Sequence, residues 1–296
     1  MNESKISEKK FAIALKDNKY FRNLSPADML SVMIKEIIVK GSINITNFEC
    51  WKELGNTVNE VGDEEKFDHI IEILNMKAPS STLKILYDTG LMEYCMPICF
   101  PIKKSISRRD FESIIEKFDK CGQELPVRIT VFLFPFEIDK VQETLKKANF
   151  DPEIIKMMLS ALNDIEDFVL IKEKEKLKKF IFRKGWDYYY FIDSFAKQLN
   201  LTLEFPEYKR LSKQYLVEEI KKHHEPIFPD DLKISPSDLI ESGITKEGET
   251  EEMMKMLAEH CHLKPYDNRK DMLLKRAEEL KKSKLKRVFR NVMWIR

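Results

Sequence analysis

The sequence predicts an all-α protein, built as an elongated multi-helix array of small helical domains. Three observations carry this. Charged residues make up 34% of the 296-residue chain, with only 8 glycines. Apolar residues recur at helical spacing along most of its length. Helix-starting and helix-stopping residues bracket those runs. The one segment that competes for a strand is Val127 to Phe136, VRITVFLFPF. It has helices on both sides and no partner strand, so it reads as a short core helix ended by Pro135.

Taken in order, residues 1–22 form a polar lead-in. A first helical domain spans 23–100. Ser25 caps a helix with Pro26 at its first position and Met29, Leu30, Met33, Ile34, Ile37 and Ile38 on one face. Gly41 ends it. Thr46-Asn47-Phe48-Glu49 has the capping-box pattern for a second helix. A third follows Gly62, with Phe67, Ile70, Ile71 and Leu74 inward. Pro79 starts a fourth, Gly90 caps it, and Leu83, Leu86 and Tyr87 face the core. Pro97 and Pro101 suggest a boundary near 97–106. A second domain, 101–224, begins with a Ser107-capped helix burying Phe111, Ile114, Ile115 and Phe118. After the core helix come helices near 137–149, 152–170, 173–184, 186–200 and 207–224. The third domain, 225–296, opens with a linker over Glu225 to Lys233, which carries Pro226 and Pro229.

A helical hairpin follows over Ile234 to Leu263. Ser235 and Pro236 start its short helix, Leu239 and Ile240 give that helix an apolar face, and Gly243 ends it. Gly248 precedes a second helix bearing Met253, Met254, Met256 and Leu257. Free N–H groups at such a helix start suit a phosphate. Glu247, Glu249, Glu251 and Glu252 crowd the same end and would repel one. A last helix is expected from about Asp267.

The net charge of +1 gives no global attraction for nucleic acid or membrane, so any basic site must be local. The polar start MNESKISEKK resembles no signal peptide. No apolar run approaches the ~20 residues of a membrane span. Five cysteines without a C-x-x-C suit reduced thiols and a cytoplasmic protein. Catalytic groupings are scarce. His260-Cys261-His262 points its histidines to different helix faces, which disfavours zinc. His223 and His224 sit at a helix end that suits a cation. No P-loop, G-x-S-x-G, G-x-G-x-x-G or His-Asp pair occurs. No catalytic residue, metal or cofactor is expected. Tyr188-Tyr189-Tyr190-Phe191 beside Trp186 reads as core or as a base-stacking surface.

The charge is unevenly placed. From Lys264 onward there are twelve basic and four acidic residues, a net +8, which leaves −7 on the rest. A cationic end on a neutral protein suggests a polyanionic partner. The candidate RNA-binding residues are Lys275, Arg276, Lys281, Lys282, Lys284, Lys286, Arg287 and Arg290. Val288, Phe289, Val292, Trp294 and Ile295 are mixed among them, so a membrane-surface helix, a partner-binding tail and a solvated helix stay open.

Two stretches in the same order carry a family resemblance. One is Ala78-Pro79-Ser80, Leu83, Leu86 and Gly90-Leu91-Met92-Glu93, ending at Pro97. The other is Ser237-Asp238-Leu239-Ile240-Glu241 with Gly243-Ile244, followed by Asn268-Arg269-Lys270-Asp271-Met272-Leu273. They are similar to the neck and tail of the tRNA nucleotidyltransferase (CCA-adding enzyme) and bacterial poly(A) polymerase family. Arg128-Ile129-Thr130 to Phe136 and Phe150-Asp151-x-Glu153-Ile154-Ile155 resemble its helical body. The family's catalytic head, with a glycine-rich turn and an Asp-x-Asp pair for two metals, has no counterpart. The first glycine here is Gly41 and no Asp-x-Asp occurs. Leu24-Ser25-Pro26-Ala27-Asp28 lacks the family's nucleotide-reading Asp and Arg. Arg108-Arg109-Asp110 matches a head motif but falls after the neck. Glu251 or Glu252 stands where the second tail glycine lies. The resemblance implies a non-catalytic RNA-binding protein, with tRNA as the RNA. Its alternatives are a subunit or fragment active only with a separately supplied nucleotidyltransferase head, and a helical protein-interaction scaffold.

Overall fold

The structure, a computed structural model, describes residues 8–53, 61–100, 111–112, 115, 118–120, 122–199 and 213–293; the side chains of 8, 9, 18, 120 and 284–293 lie outside the description. Among the described residues there are sixteen α-helices, four short 3-10 turns and no strand. The protein divides into two compact units. One comprises residues 1–166 and 191–201, the other 167–190 and 202–296.

The first unit contains α1 (Glu8–Ala14), α2 (Asn18–Arg22), α3 (Pro26–Lys40), α4 (Ile45–Glu53), α5 (Asp63–Leu74), α6 (Ser80–Thr89), α7 (Leu91–Cys95), α8 (Leu125–Leu133) and α9 (Ile138–Lys147). It also takes most of α10 (Pro152–Leu170) and, beyond α11 (Lys174–Lys184), the second half of α12 (Trp186–Gln198). Its hub is α3, against which α4, α5 and α6 pack. The Ser25 hydroxyl accepts from the Asp28 N–H, and Gly41 closes the helix at φ 65°, a conformation that suits glycine. The buried surface of α3 is wider than one apolar stripe, because Ser31, Val32 and Glu36 are also inside. Buried Glu36 accepts from the Lys40 ammonium at 3.0 Å and the Asn44 N–H at 3.1 Å, which pins the turn into α4. That helix starts two residues earlier than the capping-box reading. Asn44 Oδ1 accepts from the Thr46 and Asn47 N–H groups, so Asn44 is the cap and Thr46 lies inside the helix.

The apolar run at Val127–Leu133 is helical, as α8, and buried throughout. Within it Arg128 is 1% exposed. Its guanidinium donates to the carbonyls of Leu74 and Met76 at 2.6 Å and of Gly122 at 2.7 Å. The first two carbonyls lie at the C-terminal end of α5, where unpaired oxygens and the helix dipole both favour a cation. Phe111, Ile115 and Phe118 are buried as expected. Ser107 and Ile114 lie outside the described residues. Tyr87 is half-buried and stacks on Phe111 at 4.4 Å.

The second unit comprises the end of α10, α11, the start of α12, α13 (Lys213–Lys222), α14 (Pro236–Glu241), α15 (Thr250–Leu263) and α16 (Lys270–Met293). Its hub is α15, packed by α11, α14 and α16. Leu232, Ile234, Leu239, Ile244, Met254, Leu257, Ala258, Cys261, Leu273 and Ala277 form its core. Of the two apolar residues expected on α14, Leu239 is buried and Ile240 is exposed. A six-residue helix has room for one inward apolar position, and Ile244 after the turn supplies the second.

The segment expected as a linker is a packed strap. Ile227 and Leu232 are buried. Asp231 Oδ2 accepts from the Ile227 and Phe228 N–H groups at 2.9 and 2.8 Å. Asn268 donates to the Asp231 carbonyl and accepts from the Lys233 N–H. His262 donates from Nε2 to the Ile227 carbonyl at 2.9 Å. Burial draws His262 below its ordinary value. The strap's anchor is Glu225, whose buried carboxylate accepts from Lys174 and, at 2.8 Å, from the buried Lys178.

Cys50, Cys95, Cys99 and Cys261 are buried free thiols. Burial raises Cys95 to about 12, and Cys99 and Cys261 to about 11.

The buried polar groups lead to two stability predictions. His69 is 8% exposed, and its Nε2 meets the Ser31 hydroxyl at 3.2 Å. Burial, then the charge of Lys35, lowers it from 6.5 to about 4. The unfolded state therefore takes up this proton first. The stabilising contribution is complete above pH 6.5 and is lost as pH falls toward 4, by about 3 kcal/mol. Urea denaturation at pH 7 and pH 4 should show this loss in the native protein and not in His69→Gln. Arg128→Met should cost about 3 kcal/mol or more, because it strands buried carbonyls. It should read as a lower urea midpoint at unchanged slope.

Candidate nucleic-acid interface

The hairpin forms as the residue pattern expects. Ser235 Oγ accepts from the Asp238 N–H, and Asp238 Oδ2 accepts from the Ser235 N–H at 2.8 Å, a reciprocal capping box. Gly243 ends α14 at φ 69°. The following 3-10 turn (Glu247–Glu249) carries the acidic residues into the start of α15, so that helix start is unsuited to an anion.

The hairpin instead holds the base of α16. Lys270 pairs with Asp238, and this hydrogen bond, followed by those from Ser235, pulls the Asp238 carboxyl down to about 2. One helical face, Leu273, Ala277 and Leu280, lies against the unit's core. Lys281, three turns along, donates to the Gly243 carbonyl at 2.9 Å. That carbonyl belongs to the glycine turn just past the end of α14, so the Lys281 ammonium ties α16 to the turn of the hairpin.

The candidate cations are therefore not equivalent. Lys275 is exposed, and among the described residues it has no hydrogen-bond or ion-pair partner. Arg276 pairs with Glu279 at 3.0 Å and Lys282 with Glu278 at 3.7 Å, both within one helical turn. Such exposed pairs hold only about 0–1 kcal/mol and exchange readily for a phosphate. Lys281 is committed to Gly243. Lys284, Lys286, Arg287 and Arg290 lie on the same helix by backbone, and their side chains are outside the description; Trp294 and Ile295 lie outside the described residues. Beyond Glu279 the sequence has seven basic residues and no acidic one. Lys282, Lys286 and Arg290 recur at four-residue spacing within that stretch.

Other candidates resolve differently. Tyr188, Tyr189 and Phe191 are buried, so most of the aromatic run is core, whereas Tyr190 is 47% exposed. His260 meets Asp267 at 2.9 Å while His262 holds the strap, and no grouping of three metal-binding side chains occurs among the described residues. The role of the Glu225 carboxyl was not legible in the sequence, because its partners Lys174 and Lys178 lie 51 and 47 residues upstream. Burial alone would raise it, but the hydrogen bonds from Lys174 and Lys178 hold it below its ordinary value. Lys178 is drawn down by burial against its bond to Glu225. Glu225→Gln leaves a buried ammonium without its counter-charge. It should destabilise the protein by about 3 kcal/mol, read as a lowered urea midpoint.

No family model, curated protein or solved structure matches this sequence.

Proposed function

We propose that this is a non-catalytic RNA-binding protein, with tRNA as its RNA, and that the C-terminal half of α16 lies along the phosphate backbone. The observation that carries this reading is that no acidic residue follows Glu279 in the sequence, while six basic residues from Lys281 to Arg290 lie on a helix whose base is tied to the α14–α15 hairpin. A fixed helix presents its cations without the entropic cost of ordering a free tail. The likeness of the hairpin to the tail of tRNA nucleotidyltransferases points to tRNA over other polyanions. The same likeness favours a second reading, a subunit that completes a nucleotidyltransferase when another protein supplies the head; the missing Asp-x-Asp pair means that metal-dependent transfer would depend on that partner.

Fluorescence anisotropy with labelled tRNA tests the first reading. Binding should weaken steeply with salt, because each neutralised phosphate releases counterions. The triple change Lys282→Gln, Lys286→Gln, Arg290→Gln should weaken binding and flatten the salt slope by about 2–3 units. Equal affinity and equal slope for the two proteins would refute it, and preferential binding to anionic vesicles would move the helix to a membrane surface.

A further inference from the structure

A groove of about 460 Å³ opens in the second unit between the first turn of α12, the C-terminal end of α13 and the strap. Trp186 and Tyr190, one helical turn apart, stand on one side with ring centroids 5.7 Å apart and planes at 19°. Lys221, from α13, places its ammonium 5.2 and 5.4 Å from these two rings and donates to the Tyr190 hydroxyl at 2.7 Å. Glu225 and Asp231 also line the groove.

The neighbouring aromatics of the same run are buried, yet these two rings remain partly open to solvent. Aromatic faces beside carboxylates fit two ligand classes: an organic cation, held by the ring faces, or a planar base carrying an anionic group. Three observations select the second. The cation position over both rings is already filled by Lys221, whose charge would repel another cation. The Glu225 carboxylate is neutralised by two lysines. Asp231 already accepts two backbone N–H groups. Lys221 has three donors and spends one on Tyr190, so it can also meet a phosphate. The volume falls within the roughly 300–1,000 Å³ of small-molecule sites.

We propose that this groove binds an unpaired nucleotide, with the base stacked on the Trp186–Tyr190 pair and the phosphate on Lys221. The site does not rest on the reading of α16 as an RNA-binding helix. Its ligand is either a free nucleotide or one base of a single strand. The test follows tryptophan emission of the full-length protein during titration with guanosine 5′-monophosphate, a single-stranded RNA pentamer and ribose 5-phosphate.

The expected result is quenching by the nucleotide and the pentamer, none by ribose 5-phosphate, and loss of the signal in Trp186→Phe. Tyr190→Leu should weaken binding about tenfold or more. Lys221→Gln should weaken binding of the monophosphate, while guanosine, titrated as the nucleoside control, should bind the variant and the native protein alike. The α16 triple variant should bind the monophosphate like the native protein, which separates the two sites. In the α16 triple variant, a pentamer that binds far more tightly than the monophosphate identifies a strand as the ligand, and equal binding identifies a free nucleotide. Absence of quenching by the monophosphate, quenching by the monophosphate that persists in Trp186→Phe, or an equal response to ribose 5-phosphate would overturn the proposal.

Discussion

A protein made of short helices must satisfy the backbone groups at every helix end, and much of this structure depends on how it does so. Each helix leaves unpaired N–H groups at its start and unpaired carbonyls at its close. Long helices spread that cost over many internal bonds, but α2, α7 and α14 have five or six residues each. Local side chains serve the starts: Asp17 for α2, Ser25 for α3, Asn44 for α4 and Ser235 for α14. The close of α5 is served from a distance by the Arg128 cation, and Lys281 binds the turn just past α14. Lys178 likewise reaches the Cys261 carbonyl at 3.4 Å, late in α15. The same bonds that finish a helix therefore also fasten it to a neighbour.

This division explains what was legible in the residues alone. Starts and glycine stops are local, and Ser25, Gly41, Gly90, Ser235 and Gly243 could be read directly. The core helix at Val127–Leu133 was legible because helices flanked it and no partner strand existed. Arg128 carried a signal, a lone cation inside an apolar run. Lys178 carried none, since it stands among Lys172, Lys174, Lys176 and Lys179 and looks like any solvated lysine. The strap at Glu225–Lys233 looked like a linker for a related reason. Its prolines are local, but its partners Lys174, Lys178, His262 and Asn268 are 35 to 51 residues away in sequence. Asn44 displaced Thr46 as a cap because it can take two backbone N–H groups from just outside the helix.

The cationic terminus illustrates how structure refines a charge count. Twelve basic residues look interchangeable in sequence. In the fold, Lys270 and Lys281 are structural, Arg276 and Lys282 are balanced by neighbours within a turn, and Lys275 stands alone among the described residues. In the sequence, the basic residues without an acidic neighbour fall in the second half of α16, past Glu279. The hairpin contributes rigidity to that helix, and its Asp238 carboxylate is turned to internal use in capping and in the pair with Lys270.

The buried cysteines give the two units separate internal clocks. Cys95 and Cys99 belong to the first unit and Cys261 to the second. Burial holds all three thiols protonated far above neutral pH, and the thiolate is the reactive form. Alkylation at these positions must wait for the surrounding helices to open, so the rate at each site measures how often its own unit breathes. A ligand that tightens one unit would slow its cysteines and leave the others to keep their pace.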